Sequence, residues 1–153
     1  MQAVIDYIST KLQTIDGIDH VHQTLPYVQN KKELKEWFAT FLTDISTPDN
    51  FQAWTVFNAQ GIEVESDGGN IANWQDTISI HGFLKFDPTP SVSGQQMQQW
   101  IDAIKPLFLN NQKLGGTVLS RGPLRLMSQQ PDWFSNYLTH HAWFDMTVQV
   151  ILQ

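Results

Sequence analysis

The last stretch of the chain, residues 140–152, constrains the fold more than any other part of the sequence. It reads HHAWFDMTVQVIL, and every second residue from Ala142 to Leu152 is apolar, while most residues between them are polar. Because the side chains of a strand alternate between its two faces, this pattern predicts a long strand with one apolar face lying on a core. We expect this strand to pair inside a sheet, since an exposed apolar edge of this length promotes aggregation.

Length and composition favour one compact domain over residues 1–153. The chain is 41% hydrophobic, which suffices for a core, and it lacks cysteine, which excludes disulfides, thiolate metal ligands and cysteine nucleophiles. Residues 1–17 do not read as a signal peptide, and no window approaches the about 20 apolar residues that span a bilayer, so we expect a soluble protein with no membrane contact. The net charge of −6, with nine lysines and arginines, argues against nucleic-acid binding.

Three segments are predicted to form helices. Apolar residues recur at helical spacing over residues 4–15, and Gly17 follows, where glycine can adopt the left-handed conformation that closes a helix. A second apolar stripe covers residues 30–42. The third helix, residues 93–104, is expected to begin with a Ser-x-x-Gln capping box at Ser93 and to end shortly before a proline, which lacks a backbone donor.

Strands are predicted for residues 51–58 and 77–86, in addition to the last one. Residues 59–73 are polar and glycine-rich, which indicates either a loop or the extended turn of a hairpin. The shorter predicted pieces are an extended segment at 18–23, a strand at 117–120, a brief edge pairing at 124–127 and a turn or short helix at 131–137. This order predicts an α+β fold in a single domain, a mostly antiparallel sheet with about three helices packed largely on one face.

The histidine, serine and glycine residues of the sequence show no arrangement typical of a metal, catalytic or phosphate-binding site. His20 and His22 share one face of an extended segment, but His140 and His141 point to opposite faces of a strand, so at most one of them could join a metal site. The sequence has no G-x-S-x-G motif, and its glycine pair at 68–69 lacks the spacing and lysine of a phosphate loop. We therefore predict no catalytic, cofactor or metal site.

Some aromatic residues call for a different interpretation. Phe83 and Trp143 lie opposite the apolar parity of their strands, so they face outward unless a second layer covers them. Together with Trp74 they indicate either additional core or a subunit interface, because large aromatic residues are enriched where proteins bury surface against one another. We include Asp67, in the polar segment 59–73, among the candidate interface residues.

Several phrases together resemble the tail-terminator, or tail-completion, proteins of long-tailed bacteriophages and prophages. Members of that family show a "G-I-x-x-V-H" start, an "A-W" strand, an "H-x-F-x-I-x-G" type of strand and an "H-x-A" final strand ending near V-Q. The matching pieces in this chain are IDGIDHVH at 15–22, QAWTV at 52–56, ISIHGF at 78–83, QWIDAI at 99–104, LGG at 114–116 and HAWFDMTVQ at 141–149.

The resemblance implies an α+β subunit that is not an enzyme, needs no cofactor and assembles into a ring, commonly a hexamer. Such a ring caps the tail tube and offers a surface to the head-side connector protein, so the implied partners are other copies of the chain, the major tail tube protein and the connector. The implied location is the virion, assembled in the cytoplasm of the host bacterium. One ring contact would contain Phe83 and Trp143, and segment 59–73 would lie near the other contact or at the lumen.

Two other functions remain open from the residues alone. The chain could be a small-ligand or metal-binding module, or an enzyme, with a pocket around Trp54, Trp100 and a histidine. It could also be an adaptor that binds one host protein through its aromatic residues.

Overall fold

The computed structural model describes residues 1–23, 52–65, 72–86, 90–134 and 137–151. These ranges contain two α-helices, five strands and a short 3₁₀ turn at Leu114–Gly116. The helices and strands, in chain order, are α1 (Gln2–Leu12), β1 (Gln52–Glu65), β2 (Ala72–Lys85), α2 (Pro90–Ile104), β3 (Ser120–Arg121), β4 (Arg125–Phe134) and β5 (Tyr137–Ile151). Neither helix in the described ranges has the length and apolar character needed to cross a bilayer.

The five strands form one antiparallel sheet in which β5 is central. β2 pairs with β5 on one side and with β1 on the other, while β3 and β4 both pair with the opposite side of β5. A single parallel bridge joins His22 to Thr55 on β1. The prediction that the last strand pairs inside an antiparallel sheet is therefore confirmed.

Both helices lie on one face of this sheet, which we call the helix face. The apolar parity of β5, from Ala142 to Val148, is buried there, as are Ile78 and Ile80 of β2. The helices contribute apolar residues at helical spacing, because one side of each must be removed from water. The buried helical residues of this core are Val4, Ile5, Ile8, Leu12, Met97, Trp100, Ile101 and Ile104.

Trp54 of β1 packs against Gly82 of β2 on the helix face. Trp54 is fully buried and lies edge-on to Trp100 of α2, with ring centroids 6.0 Å apart. Gly82 is the residue directly opposite Trp54, so the indole occupies the space that a side chain at Gly82 would take. The sheet accommodates this bulky ring only because its cross-strand neighbour has no Cβ atom.

Strand β4 lies at the edge of the described sheet, and features of its backbone oppose pairing with a further strand. A register shift between Leu126 and Ser128 bulges the strand, and Pro131 has no backbone donor. Bulges and prolines on edge strands are devices by which proteins avoid edge-to-edge association. Contacts with other molecules at this edge are therefore expected to use side chains rather than backbone pairing.

Four of the strands are longer than the sequence patterns predict, whereas the strand predicted for 117–120 is shorter and shifted, at Ser120–Arg121. Residues 59–73 do not form one continuous loop, because β1 continues to Glu65 and β2 begins at Ala72, which agrees with the hairpin alternative. The turn or short helix predicted for 131–137 is wrong, since β4 extends to Phe134 and β5 begins at Tyr137. The brief pairing predicted for 124–127 is the beginning of this 10-residue strand.

The helices also differ from their predicted bounds. The first ends at Leu12 rather than at Gly17, although Gly17 does have the positive φ predicted for it, at 90°. The capping box at Ser93 is wrong because α2 begins at Pro90, and a proline at the first position of a helix loses no intrahelical hydrogen bond. The predicted end of this helix at Ile104 is confirmed. The helix predicted for residues 30–42 lies outside the described residues.

Candidate functional site: paired imidazoles on the second face of the sheet

The face of the sheet opposite the helices, which we call the imidazole face, combines aromatic and polar side chains. Phe83 of β2 lies opposite His141 of β5, and His81 lies opposite Trp143. The residues of this face are largely buried within the chain even though both described helices lie on the other face: Thr55 is fully buried, and Ser79 is 2% exposed. These residues are therefore shielded from water within the chain, whereas His81, His141 and Trp143 on the same face are half-buried.

The rings on the imidazole face lie nearly parallel to one another across the strands. The planes of His81 and His141 are within 18° of parallel, with centroids 5.1 Å apart, and Phe83 stacks on His141 at 4.5 Å. Phe57 of β1 lies 5.4 Å from His81, and Trp143 lies 5.3 Å from it. His81 is thus held between rings from two neighbouring strands, which limits the positions its imidazole can adopt.

A hydrogen bond joins the two imidazoles, which we call the imidazole pair. The Nδ1 atom of His81 lies 2.8 Å from the Nε2 atom of His141. The other ring nitrogen of His141, Nδ1, lies 3.4 Å from a carboxylate oxygen of Asp132 on β4. A carboxylate beside Nδ1 favours the tautomer that carries its proton there, so Nε2 of His141 is the acceptor and Nδ1 of His81 is the donor.

Burial holds both imidazoles in the neutral form. It lowers the pKa of His81 from 6.5 to about 4, with a further lowering by His141 that Asp145 opposes. Burial also lowers the pKa of His141, and the carboxylate of Asp132 opposes this shift. At neutral pH the pair is therefore uncharged, although two carboxylates lie near it.

Asp145 holds the β5 side of the aromatic stack through hydrogen bonds to Ser79 and Trp143. One carboxylate oxygen of Asp145 accepts hydrogen bonds from the Ser79 hydroxyl at 2.6 Å and from the Trp143 indole at 2.7 Å. Because the indole N–H is satisfied within the chain, Trp143 has a defined orientation beside His81. The cluster positions the aromatic stack, and its carboxylate influences the charge of the imidazole pair.

The four candidate interface residues differ in their exposure and in how far the structure describes them. Phe83 is 5% exposed, so little of its side chain remains available for a contact with another molecule. Trp143 is half-buried and stacks on His81. Trp74 belongs to β2, but its side chain is outside the described set, and Asp67 lies outside the described residues. Phe83 and Trp143 are brought together on one face by the pairing of β2 with β5.

The histidines considered for a metal site are not brought together. His140 lies on the helix-face side of β5, where its Nε2 atom is 2.8 Å from the Ser93 hydroxyl and its ring stacks on Phe86 at 4.0 Å. His22 pairs with β1 through its backbone, and burial lowers the pKa of its imidazole to about 4. Within the described ranges no three histidine or carboxylate side chains are close enough to hold a metal ion.

Trp54 and Trp100, which were predicted to line one pocket, differ in their surroundings. Trp54 is fully buried, whereas Trp100 lines an open groove of about 560 Å³ between α2 and the turn after α1. The indole of Trp100 donates to the backbone oxygen of Asp16 at 3.1 Å, so its polar atom is already bound. The other residues that line the groove are Thr14, Ile15, Gly17, Gln96, Gln99, Ala103 and Leu107.

Sequence reasoning missed the imidazole pair. It placed His141 at the start of a strand and His81 in another strand, but it did not relate the two, because their contact depends on the register between β2 and β5. Asp132 was missed as well, since its segment was expected to be a turn or a short helix. Both histidines occupy the polar parity of an otherwise apolar strand, and this shared parity is the signal that could have suggested the pair.

These features define the class of protein, a helix-backed antiparallel α+β domain with a partly buried set of aromatic and imidazole rings on its second face. In comparisons with known proteins, no family model and no curated protein matches the chain.

Proposed function

We propose that this chain is a structural subunit of the tail-terminator type that forms a ring at the end of a phage or prophage tail tube, where the resemblance implies a ring that is commonly a hexamer. The ring would bind the major tail tube protein on one side and the head-side connector on the other. The proposal assigns the chain no catalysis and no cofactor, and it places the chain in the virion after assembly in the host cytoplasm. The proposal also retains the expectation of about three helices packed largely on one face of the sheet.

The observation that supports this proposal most is the spatial convergence of the phrases that carry the resemblance. Trp54 of the "A-W" phrase lies opposite Gly82, and Gly82 lies opposite Ala142 of the closing phrase. The initial phrase reaches the same region, because His22 bridges to Thr55. Phrases that are far apart in the sequence thus meet in one cross-section of the sheet, as expected if they specify a common fold.

The exposed apolar side chains are candidates for ring contacts. Met127 and Trp133 on β4 are 50% and 66% exposed, and Leu109 after α2 is 68% exposed. Leu109 borders a groove of about 400 Å³ that also contains Leu124. A ring needs two different, complementary patches on each subunit, and we assign one to the Trp133 end of β4 and the other to the Leu109 groove.

Electron microscopy of tail tubes tests the proposal directly. The genes that flank this one would identify the major tail protein, which can be assembled into tubes and mixed with the purified chain. We expect added density at one end of each tube and at no position along its wall. Tubes with bare ends at saturating protein concentration would contradict the proposal.

Substitution of the exposed aromatic residue tests the assigned ring contact. We expect Trp133→Ser to weaken self-association or tube-end binding by roughly tenfold or more, because buried tryptophans dominate interface energies. The thermal stability should stay near that of the wild type, since the side chain is 66% exposed. Ala3→Ser, at an exposed position of α1, is the control and should bind normally. Unchanged binding by the Trp133 variant would remove this patch from the interface.

The groove beside Trp100 supports the second candidate function, a small-ligand module. A broad screen of metabolites and metal ions for thermal stabilisation would test it, because any ligand that binds only the folded state raises the melting temperature. Stabilisation that Trp100→Phe abolishes would favour this alternative over the assembly role.

A further inference from the structure

We propose that His81 and His141 form an acid-sensitive latch between β2 and β5, in which two partly buried imidazoles share one hydrogen-bonded proton and separate when the pair becomes doubly charged. The inference does not depend on the assembly role. It rests on the 2.8 Å separation of the two ring nitrogens, on their position within the aromatic stack and on the carboxylate beside His141.

The geometry determines how many protons the pair can hold. Two nitrogens 2.8 Å apart have room for one proton between them, so one imidazole must present a bare nitrogen to the other. In the neutral pair, His141 carries its proton on Nδ1 beside Asp132, and His81 donates its Nδ1 proton to Nε2 of His141. The Nε2 atom of His81 is then the unprotonated position.

A first added proton and a second one have different consequences. The first can bind to Nε2 of His81 without disturbing the shared hydrogen bond, and the pair then has a single positive charge. The second must bind to Nε2 of His141, where it would meet the N–H of His81. Two N–H groups cannot face each other at this distance, so the rings separate and the stack between β2 and β5 opens.

Charged and titratable groups from three strands surround the pair. The carboxylates of Asp132 and Asp145 favour uptake of the first proton, whereas burial opposes it. On β1 the residues of this face nearest the pair, Thr55 and Phe57, carry no charge. The charged residues on the imidazole face of the described strands are Lys85 on β2, Arg125 and Asp132 on β4, and Asp145 on β5.

The direction of the pH effect follows from linkage. A histidine whose pKa is about 4 in the folded chain and 6.5 when unfolded binds more protons in the unfolded state between these values. The stabilisation from a neutral His81 is therefore complete above pH 6.5 and is lost as the pH falls towards about 4. The latch is therefore closed at neutral pH, His81 takes up the first proton at about pH 4, and the rings separate only at lower pH, when the second proton binds.

Nuclear magnetic resonance of the wild-type chain tests the shared proton without any substitution. In protein labelled with nitrogen-15 histidine at about pH 7.5, we expect one slowly exchanging ring proton coupled to two histidine nitrogens, one of the δ1 type and one of the ε2 type. This coupling should disappear on acidification below about pH 4, before global unfolding is complete. The absence of any ring proton coupled to two histidine nitrogens at neutral pH would overturn the proposal.

Thermal unfolding as a function of pH tests the latch in a second way. His81→Phe keeps a ring in the stack but removes the titrating group, so the fall in melting temperature between about pH 7.5 and 5 should be smaller than in the wild type by about 4 °C. His20→Gln, at an exposed position, is the control and should change the dependence less, because His20 makes only the smaller contribution to the lowered pKa of His22. If His81→Phe retains the full dependence, the latch is excluded; if that variant does not fold, His141→Gln provides the same comparison.

Discussion

Gly82→Ala is expected to destabilise the chain by about 3 kcal/mol, because the added methyl group would overpack the core. A Cβ atom at this position would lie 2.4 Å from two ring atoms of Trp54 and 2.7 Å from a third. Trp54 cannot move aside easily, since it is fully buried and its ring meets Trp100 edge-on. The free energy of unfolding, measured by chemical denaturation, provides the test.

A matched glycine substitution separates this steric effect from a general effect of glycine replacement. Gly94 lies within α2, where an added Cβ would meet only a ring atom of His140 at 3.5 Å, an ordinary contact distance. Gly94→Ala should therefore be neutral or stabilising by up to about 1 kcal/mol, as expected for alanine in a helix. Equal stability of Gly82→Ala and the wild type would show that Trp54 does not occupy the position described.

Arg121→Ala is expected to cost about 2 to 3 kcal/mol through loss of hydrogen bonds to the backbone. The guanidinium donates to the backbone oxygen of Asn111 at 2.8 Å, to that of Gly122 at 3.0 Å and to that of Phe108. These bonds join the turn that follows α2 to β3. Their removal takes a donor from the backbone oxygens of Asn111 and Gly122, while that of Phe108 still accepts from the backbone amide of Asn111. Chemical denaturation again measures the loss.

Two further variants make the Arg121 prediction specific. Arg121→Lys keeps the positive charge but lacks the planar fork, so it should recover only a small part of the lost stability. Arg125→Ala removes an exposed arginine on β4 and should change the stability by no more than about 0.5 kcal/mol. Full recovery by lysine would mean that the charge, and not the fork of hydrogen bonds, stabilises this turn.

The sequence predicts those elements that have a strong apolar period. Strand β5 and the central part of β2 alternate because one face of each lies on the helices, and α1 shows the matching helical stripe. The end of α2 was also predictable, since the nearby Pro106 cannot donate to the preceding turn. In each case the local chemistry and the tertiary structure require the same conformation.

The sequence does not predict those elements whose conformation depends on pairing between strands. Strand β4 contains polar residues and Pro131 and has no apolar period, yet it is extended because β5 supplies its hydrogen-bonding partner. Polar residues likewise continue β1 and β2 beyond the apolar part of their hairpin. The imidazole pair depends on the register that places Phe83 opposite His141, and a single sequence does not specify that register.

The mass of the particle that this chain forms, alone and with tail tubes, tests the central claim most directly. Native mass spectrometry of the purified chain, and of the complexes released from tube ends, would count the subunits of 17.5 kDa in each particle. The assembly role predicts a closed ring with one defined subunit number, formed either in solution or on the tube. A monomer of 17.5 kDa under both conditions, with no chain bound to the tubes, would contradict it.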